Sequence, residues 1–278
     1  MKRKGGGLLW ILLLIALAGA GYYFWQQSRV TRQGPDGAAE PPPNSQAGSE
    51  TPSASAPPVP PAPPMIRYPI EEDDRSAAPE SLPKLEESDP MVEEGLSALV
   101  DGDALKNILR DKNIIRHIVV TVDNLPRKTV GQRLLPVQSA QGRLETEKSP
   151  EGLAIGEANF KRYAPFIAVL DQVDAGKLVA LYTELYPLFQ SAYRDLGYPE
   201  GYFNDRLVDV IDHMLAAPEP TGPILVQQPH ILYRYADPEL ENSSAGHKLM
   251  IRIGKDNAQE VKRKMREIRE ALTQRPPG

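Results

Sequence analysis

Apolar residues are distributed unevenly along the chain, and the longest apolar stretch lies near its start. Residues 5–25 carry no charged side chain and are rich in Leu, Ile and Ala, whereas Lys and Arg occupy positions 2–4. A helix of this length rises about 31 Å at 1.5 Å per residue, which matches the hydrocarbon core of a bilayer. The pattern predicts a transmembrane anchor over 5–25, preceded by a short cytoplasmic tip at 1–4.

The residues beside this stretch predict its orientation. Lys2, Arg3 and Lys4 are expected to stay in the cytoplasm by the positive-inside rule, so the rest of the chain is exported. A cleaved signal peptide is the alternative, because the small residues at 16–20 resemble a cleavage site. The aromatic residues at 22–25 extend the apolar stretch to the membrane interface and favour an uncleaved anchor. We therefore expect a single-pass membrane protein.

Residues 26–81 have the composition of a linker. Positions 35–64 hold eleven prolines, separated mainly by Ala, Ser, Gly and Gln. Such a segment has too little apolar surface to offset the entropy lost on folding, and consecutive prolines favour an extended polyproline II conformation. We expect a disordered proline-rich spacer. The alternative is a proline-rich ligand for a recognition domain.

Periodic apolar positions predict a mainly helical exported domain over 82–278. The strongest pattern runs from Asp174 to Gly197, where apolar residues recur at steps of three and four. Asp174 is placed to cap this helix and Gly197 to end it, while Pro187 lies inside and is expected to kink it. We expect this helix to form the centre of the core.

Weaker patterns predict shorter helices around it. The apolar positions between 114 and 122 fit a strand or a helix, and their spacing favours the helix. Asn204 and Asn257 are candidate N-caps of two later helices. Gly and Pro punctuate residues 127–156, where one or two short strands are expected. Further helices are predicted from Asp89 as N-cap, after Asp103, near 157–163, over 165–173, after Asp237 and over 244–253. The expected fold class is a compact, mainly α, multi-helix domain with at most one or two short strands.

Composition excludes several classes of function. The chain contains no Cys, so it has no disulfide, no thiol nucleophile and no thiolate metal ligand. The net charge of −5 divides into +3 before the apolar stretch, −4 over 26–81 and −4 over 82–278. A domain so nearly balanced lacks the strongly basic face that general nucleic-acid binding requires. No nucleotide-binding loop, nucleophile elbow or zinc-protease motif occurs, and no cofactor is expected.

One predicted helix in the second half of the domain carries a candidate site. On a helix, Asp205, Asp209 and Asp212 share a face at spacings of four and three residues, with His213 beside them. Carboxylates and an imidazole on one face bind a divalent cation or act as acid and base. The alternative is a solvated acidic face whose carboxylates pair with local arginines.

Aromatic residues define a second candidate site. Five tyrosines lie between 182 and 202, around two prolines. Tyr186, Tyr198 and Tyr202 are the candidates to line a groove for a sugar or a peptide, and packing in the core is the alternative. The last helix is net basic and is a candidate to contact an anionic cell-wall polymer, lipid headgroups or the acidic stretch 86–103 of its own domain. A helix whose charges are merely solvated is the alternative.

Several short motifs together resemble a known bacterial family. These motifs are 121–127 (TVDNLPR), 186–190 (YPLFQ), 196–199 (LGYP), 203–207 (FNDRL), 210–213 (VIDH) and 244–249 (SAGHKL). The chain resembles domain of unknown function 3014 over about 82–273, and also in its layout of anchor and proline-rich linker. The resemblance implies a Gram-negative-type envelope protein, held in the inner membrane with its domain in the periplasm. It implies no activity and no catalytic residue.

Two functions from different classes remain open from the sequence. The first is a non-enzymatic binding or scaffold module of the envelope, whose partner is an envelope protein or a cell-wall polymer. The long linker favours this function, because a tether is useful to a domain that must reach something distant. The second is a periplasmic hydrolase or metal-dependent enzyme that uses Asp205, Asp209, Asp212 and His213.

Overall fold

A computed structural model describes most of the predicted domain and a short part of the predicted linker. The described residues are 65–70, 82–100, 105, 107–110, 112–140, 142–230 and 232–273. The predicted anchor at 5–25 and most of the linker lie outside them. Within the described ranges, no helix combines the length and the apolar character needed to cross a bilayer.

The described part of the domain is mainly helical, as the periodicity predicts, and contains four short strands where at most two were expected. In chain order its elements are a 3-10 turn at Leu85–Glu87, α1 (Asp89–Ser97), α2 (Ile114–Asn124), a 3-10 turn at Gln132–Leu134, β1 (Thr146–Ser149), β2 (Gly152–Ile155), α3 (Glu157–Lys161), α4 (Ala164–Gln172), α5 (Ala175–Asp195), α6 (Phe203–Leu215), β3 (Val226–Gln227), β4 (Arg234–Tyr235), α7 (Pro238–Asn242), α8 (Ala245–Arg252) and α9 (Lys255–Thr273).

Helix α5 lies at the centre of the core. The Asp174 side chain accepts a hydrogen bond from the Lys177 backbone N–H at 2.8 Å and caps the helix, as predicted. The helix continues through Pro187 and ends before Gly197, whose φ of +110° favours a residue without a Cβ. Helices α2 and α9 pack on α5, and α6 packs on α2, α5 and α9, so these four helices enclose the main apolar core.

The segment that fits both a strand and a helix is helix α2, and its N-terminus is capped from outside. Asp89 accepts hydrogen bonds from the backbone N–H groups of Asn113 (2.7 Å) and Ile114 (2.8 Å). The prediction that Asp89 caps its own helix is therefore wrong, because Ser88 occupies the N-cap position of α1. Asp89 instead satisfies amides at the start of a different helix, which have no partner inside that helix.

Two other predicted caps are also wrong. Asn204 is the second residue of α6 and is fully buried, while Tyr202 occupies the N-cap position. Helix α9 begins at Lys255, two residues before Asn257, whose side chain donates a hydrogen bond to the Phe160 carbonyl at 3.1 Å. Both Asn side chains bind backbone groups far away in the chain, which local sequence does not reveal.

Two short antiparallel hairpins accompany the helices. In the first, Thr146 pairs with Ile155 and Ser149 with Gly152, close to the positions predicted for short strands. In the second, β3 and β4 pair over only two residues each. With α8 the hairpins bury a small second apolar cluster: Ile155, Val226, Tyr235 and Ile251.

Part of the predicted linker contacts the domain. Residues 65–70 lie against α6, and the Ile70 side chain, which is 5% exposed, belongs to the main apolar core. The sequence places these residues inside the linker that spans 26–81. The described part of that linker is therefore bound to the domain before the expected boundary at 82.

Candidate functional site

Two of the four predicted site residues on α6 bind the segment 65–70. Asp205 accepts hydrogen bonds from two consecutive backbone amides, those of Arg67 (2.9 Å to Oδ2) and Tyr68 (2.8 Å to Oδ1). Asp209, one turn later, accepts a hydrogen bond from the Arg67 guanidinium at 2.7 Å, and this bond raises the pKa of Arg67. Successive amides that converge on one anion are a known binding arrangement. The two carboxylates therefore hold a peptide backbone and its arginine.

Neighbouring residues hold the rest of the segment. Asn204 Nδ2 donates a hydrogen bond to the Tyr68 carbonyl at 2.9 Å, and the Ile70 N–H donates one to Tyr202 Oη at 2.6 Å. The Ile70 side chain enters the core behind these contacts. We call this surface the α6 groove, and its residues are Tyr202, Asn204, Asp205 and Asp209.

Aromatic rings pack behind the α6 groove. The Tyr186 ring centroid lies 5.4 Å from that of Tyr202 and 5.6 Å from that of Tyr182. Burial raises the pKa of Tyr186, so its hydroxyl stays protonated. Two of the three predicted groove tyrosines, Tyr186 and Tyr202, thus come together, and Tyr202 contacts the docked segment.

Tyr198, the third predicted groove residue, belongs to a different cluster. Its ring stacks on Tyr193 with 4.6 Å between centroids, and its hydroxyl lies 3.2 Å from an Asp123 carboxylate oxygen. Asp123 is 3% exposed and accepts further hydrogen bonds from Arg127 (2.5 Å) and Arg206 (3.1 Å). The cluster joins the end of α2 to α6, and its buried carboxylate is paired inside the domain, which indicates a structural role.

The other two predicted site residues, Asp212 and His213, face different partners. Asp212 binds the guanidinium of Arg269 from α9, and this hydrogen bond raises the pKa of Arg269. The His213 ring stacks on His247 of α8 with 4.1 Å between centroids, and its Nε2 lies 2.8 Å from Ser244 Oγ. Burial chiefly lowers the pKa of His213, and the His247 ring adds to the effect. His213 is therefore neutral at pH 7.

The predicted acidic face is divided among separate contacts. In the residues that the structure describes, no group of three or more His, Cys, Asp or Glu side chains is arranged to hold a metal ion. The arginines that pair with Asp209 and Asp212 lie 142 and 57 positions away along the chain. These long-range pairs replace the local arginine pairs that the solvated-face alternative expects.

The basic last helix uses two of its lysines inside the domain. Lys262 and Lys264 are each 5% exposed. The Lys262 ammonium donates hydrogen bonds to the Ala217 carbonyl and to Glu219, both at 2.7 Å, and that of Lys264 donates one to the Val173 carbonyl at 2.8 Å. These two charges are therefore committed to intramolecular contacts and do not present themselves to an anionic polymer.

A cavity of about 340 Å³ lies between the first hairpin, the loop that follows α6 and helices α8 and α9. This volume is at the lower end of the range for small-molecule sites. Apolar side chains dominate its lining, which includes Ile155, Phe160, Met250 and Ile251. Of its charged lining residues, Glu219 is paired with Lys262 at 2.7 Å, and Glu147, Glu157 and Lys255 also line the cavity.

The sequence reasoning missed the docked residues Arg67, Tyr68 and Ile70, although a signal was present. Residues 65–70 (MIRYPI) contain four large apolar side chains, whereas 31–64 contain only Val59. An apolar island in a polar linker indicates a segment that binds a folded surface. Nothing in the local sequence indicates which surface.

The fold and the α6 groove define a class of protein: a mainly helical domain that binds a piece of its own N-terminal linker. The chain belongs to the family described as Protein of unknown function (DUF3014), whose model matches residues 114–269, from the start of α2 into α9. The resemblance of the motifs is thereby confirmed. The matched range includes the α6 groove but not the docked segment 65–70. No curated protein and no solved structure matches the chain.

Proposed function

We propose that the protein is a non-enzymatic binding or scaffold module of the bacterial envelope. One observation carries the proposal: Asp205 and Asp209, two of the three carboxylates of the predicted acidic face, bind the backbone and arginine of segment 65–70. Carboxylates that bind amides and a guanidinium recognise a peptide, whereas a metal-dependent or acid–base site needs them to bind an ion, a water or a substrate. The site therefore has the chemistry of recognition.

The proposed topology follows from the distribution of apolar and charged residues. Residues 5–25 anchor the protein in the inner membrane with 1–4 in the cytoplasm, and 26–81 link the anchor to a periplasmic domain over 82–278. A tethered domain searches the space near the membrane at high local concentration. This arrangement suits binding of an envelope protein or a cell-wall polymer.

The alternative is a periplasmic hydrolase or metal-dependent enzyme that uses Asp205, Asp209, Asp212 and His213. Such an enzyme needs these four side chains to converge on one ion or water. Their partners in the described part of the chain are two different arginines, backbone amides and the ring of His247. All of these contacts would have to be exchanged before catalysis.

Thermal unfolding of the full-length protein in detergent tests the proposal. A metal ion that binds only the folded state raises the melting temperature. The proposed module binds no metal ion at these carboxylates, so we expect the same melting temperature in EDTA and in millimolar Mg²⁺, Ca²⁺ or Zn²⁺. A rise with one cation that Asp205→Asn and Asp209→Asn abolish would favour the enzyme and contradict the proposal. Asp195→Asn is the matched control, since Asp195 is an exposed carboxylate that pairs with Arg116 elsewhere on the domain.

A further inference from the structure

We infer that the α6 groove is a peptide-recognition site, and that its resident ligand, residues 67–70, exchanges with a segment of a partner protein. The partner segment has the same chemistry: an arginine, then an aromatic residue, then any residue, then an aliphatic residue. The inference rests on the proposed binding function and specifies the partner of that site.

The groove recognises the main chain of its ligand. Asp205 accepts the two amides of Arg67 and Tyr68, Asn204 donates to the Tyr68 carbonyl, and Tyr202 accepts the Ile70 amide. In all four hydrogen bonds the groove supplies a side chain and the ligand supplies its backbone. A peptide of different sequence that adopts the same backbone path makes the same bonds, as in other modes of peptide recognition.

Three ligand side chains supply specificity, and the aromatic one is Tyr68, which is partly buried and packs against the main apolar core. The Arg67 guanidinium lies 2.7 Å from Asp209 and 3.8 Å from Asp205, so the groove selects a cation and repels an acidic peptide. The Ile70 side chain is 5% exposed and requires an apolar residue at that position. Pro69 is exposed, so the residue between the aromatic and aliphatic positions is not selected.

The resident segment owes much of its occupancy to its attachment to the same chain. Met65 and Ile66 are 87% and 49% exposed, and the Arg67 side chain is 51% exposed, so the apolar contact of the segment is confined to Tyr68 and Ile70. Exposed ion pairs contribute little by themselves, whereas a short covalent connection gives an effective concentration in the millimolar range. A partner that is concentrated at the same membrane gains local concentration in a similar way and competes with the resident segment.

A labelled peptide tests the inference on the full-length protein in detergent. The probe is acetyl-Met-Ile-Arg-Tyr-Pro-Ile-amide with a fluorophore, and binding is followed by fluorescence anisotropy. The double variant Arg67→Ala/Ile70→Ala removes both side-chain anchors of the resident segment. We expect this variant to bind the probe at least about tenfold more tightly than the wild type. In the wild type the resident segment fills the groove, so the apparent affinity for the probe is reduced to the fraction of molecules whose groove is empty.

Three controls make the result specific. Adding Asp205→Asn to the double variant is expected to abolish binding, while adding Asp195→Asn leaves it unchanged. A probe in which alanine replaces the arginine and the final isoleucine is expected to bind at least about tenfold more weakly. Should the double variant fail to fold, Arg67→Glu serves in its place, since this change repels the segment from Asp205 and Asp209 but keeps Ile70.

The inference is overturned if a double variant that melts like the wild type does not bind the probe, or if it binds equally well after Asp205→Asn. Light scattering tests whether the segment of a second copy of the chain occupies the groove. If the wild type forms dimers and the double variant does not, the segment exchanges between copies, and the assignment to a different partner is overturned. Probe binding depends neither on the orientation of the protein in a membrane nor on metal ions. A negative result therefore contradicts the peptide-recognition inference alone, and the proposed topology and the proposed non-enzymatic function are tested separately.

Discussion

Single carboxylates join parts of this protein that are far apart in the chain. Asp89 of α1 holds the first amides of α2, and Asp205 of α6 holds two amides of the linker segment. In each case two successive N–H groups converge on one side chain. Charge-assisted hydrogen bonds of this kind are among the stronger polar contacts, so both carboxylates fix the position of the segment that they bind.

Replacement of Asp89 is expected to destabilise the domain through α2. Asp89→Ala leaves the amides of Asn113 and Ile114 without their acceptor, and loss of a helix cap typically costs about 0.5–2 kcal/mol of unfolding free energy. Chemical denaturation followed by circular dichroism measures the change. Glu94→Ala on the exposed side of α1 is the control, and an equal loss for both variants would refute the capping role.

Burial of His213 in its stack on the His247 ring makes stability depend on pH. Burial lowers the pKa of His213 below its ordinary value of 6.5, so the folded state binds this proton less readily than the unfolded state. The contribution of His213 to stability is therefore complete above about pH 6.5 and is lost as the pH falls through the lowered folded pKa. His117, whose pKa burial also lowers, acts in the same direction.

Removing the titrating ring should flatten this dependence. The free energy of unfolding of His213→Gln, measured between pH 7.5 and 5.5, is expected to fall less steeply with acid than that of the wild type. Exposed His230 supplies the control, and His230→Gln should keep the wild-type slope. Identical slopes for all three proteins would show that His213 does not contribute to the pH dependence of stability.

At the scale of elements, α5 organises the domain because three other core helices pack on it. Its stripe of apolar residues faces the core along its whole length, and Leu185 in the middle of that stripe is fully buried. The interior is close-packed, so a deleted side chain leaves a cavity that the neighbours fill only in part.

Leu185→Ala is accordingly expected to cost about 2–5 kcal/mol of unfolding free energy, a large share of the stability of a typical domain. Glu184→Ala, at the neighbouring exposed position, should change it by less than about 0.5 kcal/mol. Both values come from equilibrium denaturation of otherwise identical proteins. A loss below about 1 kcal/mol for Leu185→Ala would be inconsistent with a central α5.

At the scale of the whole molecule, the α6 groove changes how the proposed tether acts. The segment 65–70 binds the domain before the expected boundary at 82, so a force along the linker reaches α6 before it reaches α1. A partner that displaces the segment would move the first point of attachment of the described chain from α6 to the start of the domain at α1. Under the proposed topology, partner binding at the groove would change the reach of the domain from the membrane.

The proposed topology predicts where the C-terminus lies. Alkaline phosphatase fused after residue 278 is expected to be active in cells, because the cations at 2–4 keep the N-terminus in the cytoplasm and the remainder is exported. A reporter that works only in the cytoplasm should be silent at the same position. The reverse pattern would exclude the topology, and a mature protein that starts near residue 19 or 21 would show cleavage of a signal peptide.

Local regularities account for the correct predictions. The spacing of apolar residues identifies helices α2, α5, α6 and α8, because a helix repeats its buried face every three to four residues whatever it packs against. The cap at Asp174 is equally local, since the side chain and the amide that it binds lie three residues apart. The apolar pattern at 5–25 predicts the anchor on the same principle, and that prediction concerns residues outside the described part of the chain.

The sequence by itself thus determined a mainly helical domain, its central helix and its family, each from residues that are neighbours along the chain. Only the tertiary structure decided what the polar side chains do. Asp89, Asp205 and Asp209 bind groups 24 to 142 positions away, and no periodic pattern encodes such a distance. The reason is physical: a helix forms its own backbone hydrogen bonds, whereas a carboxylate takes whichever donor the packed core brings within about 3 Å.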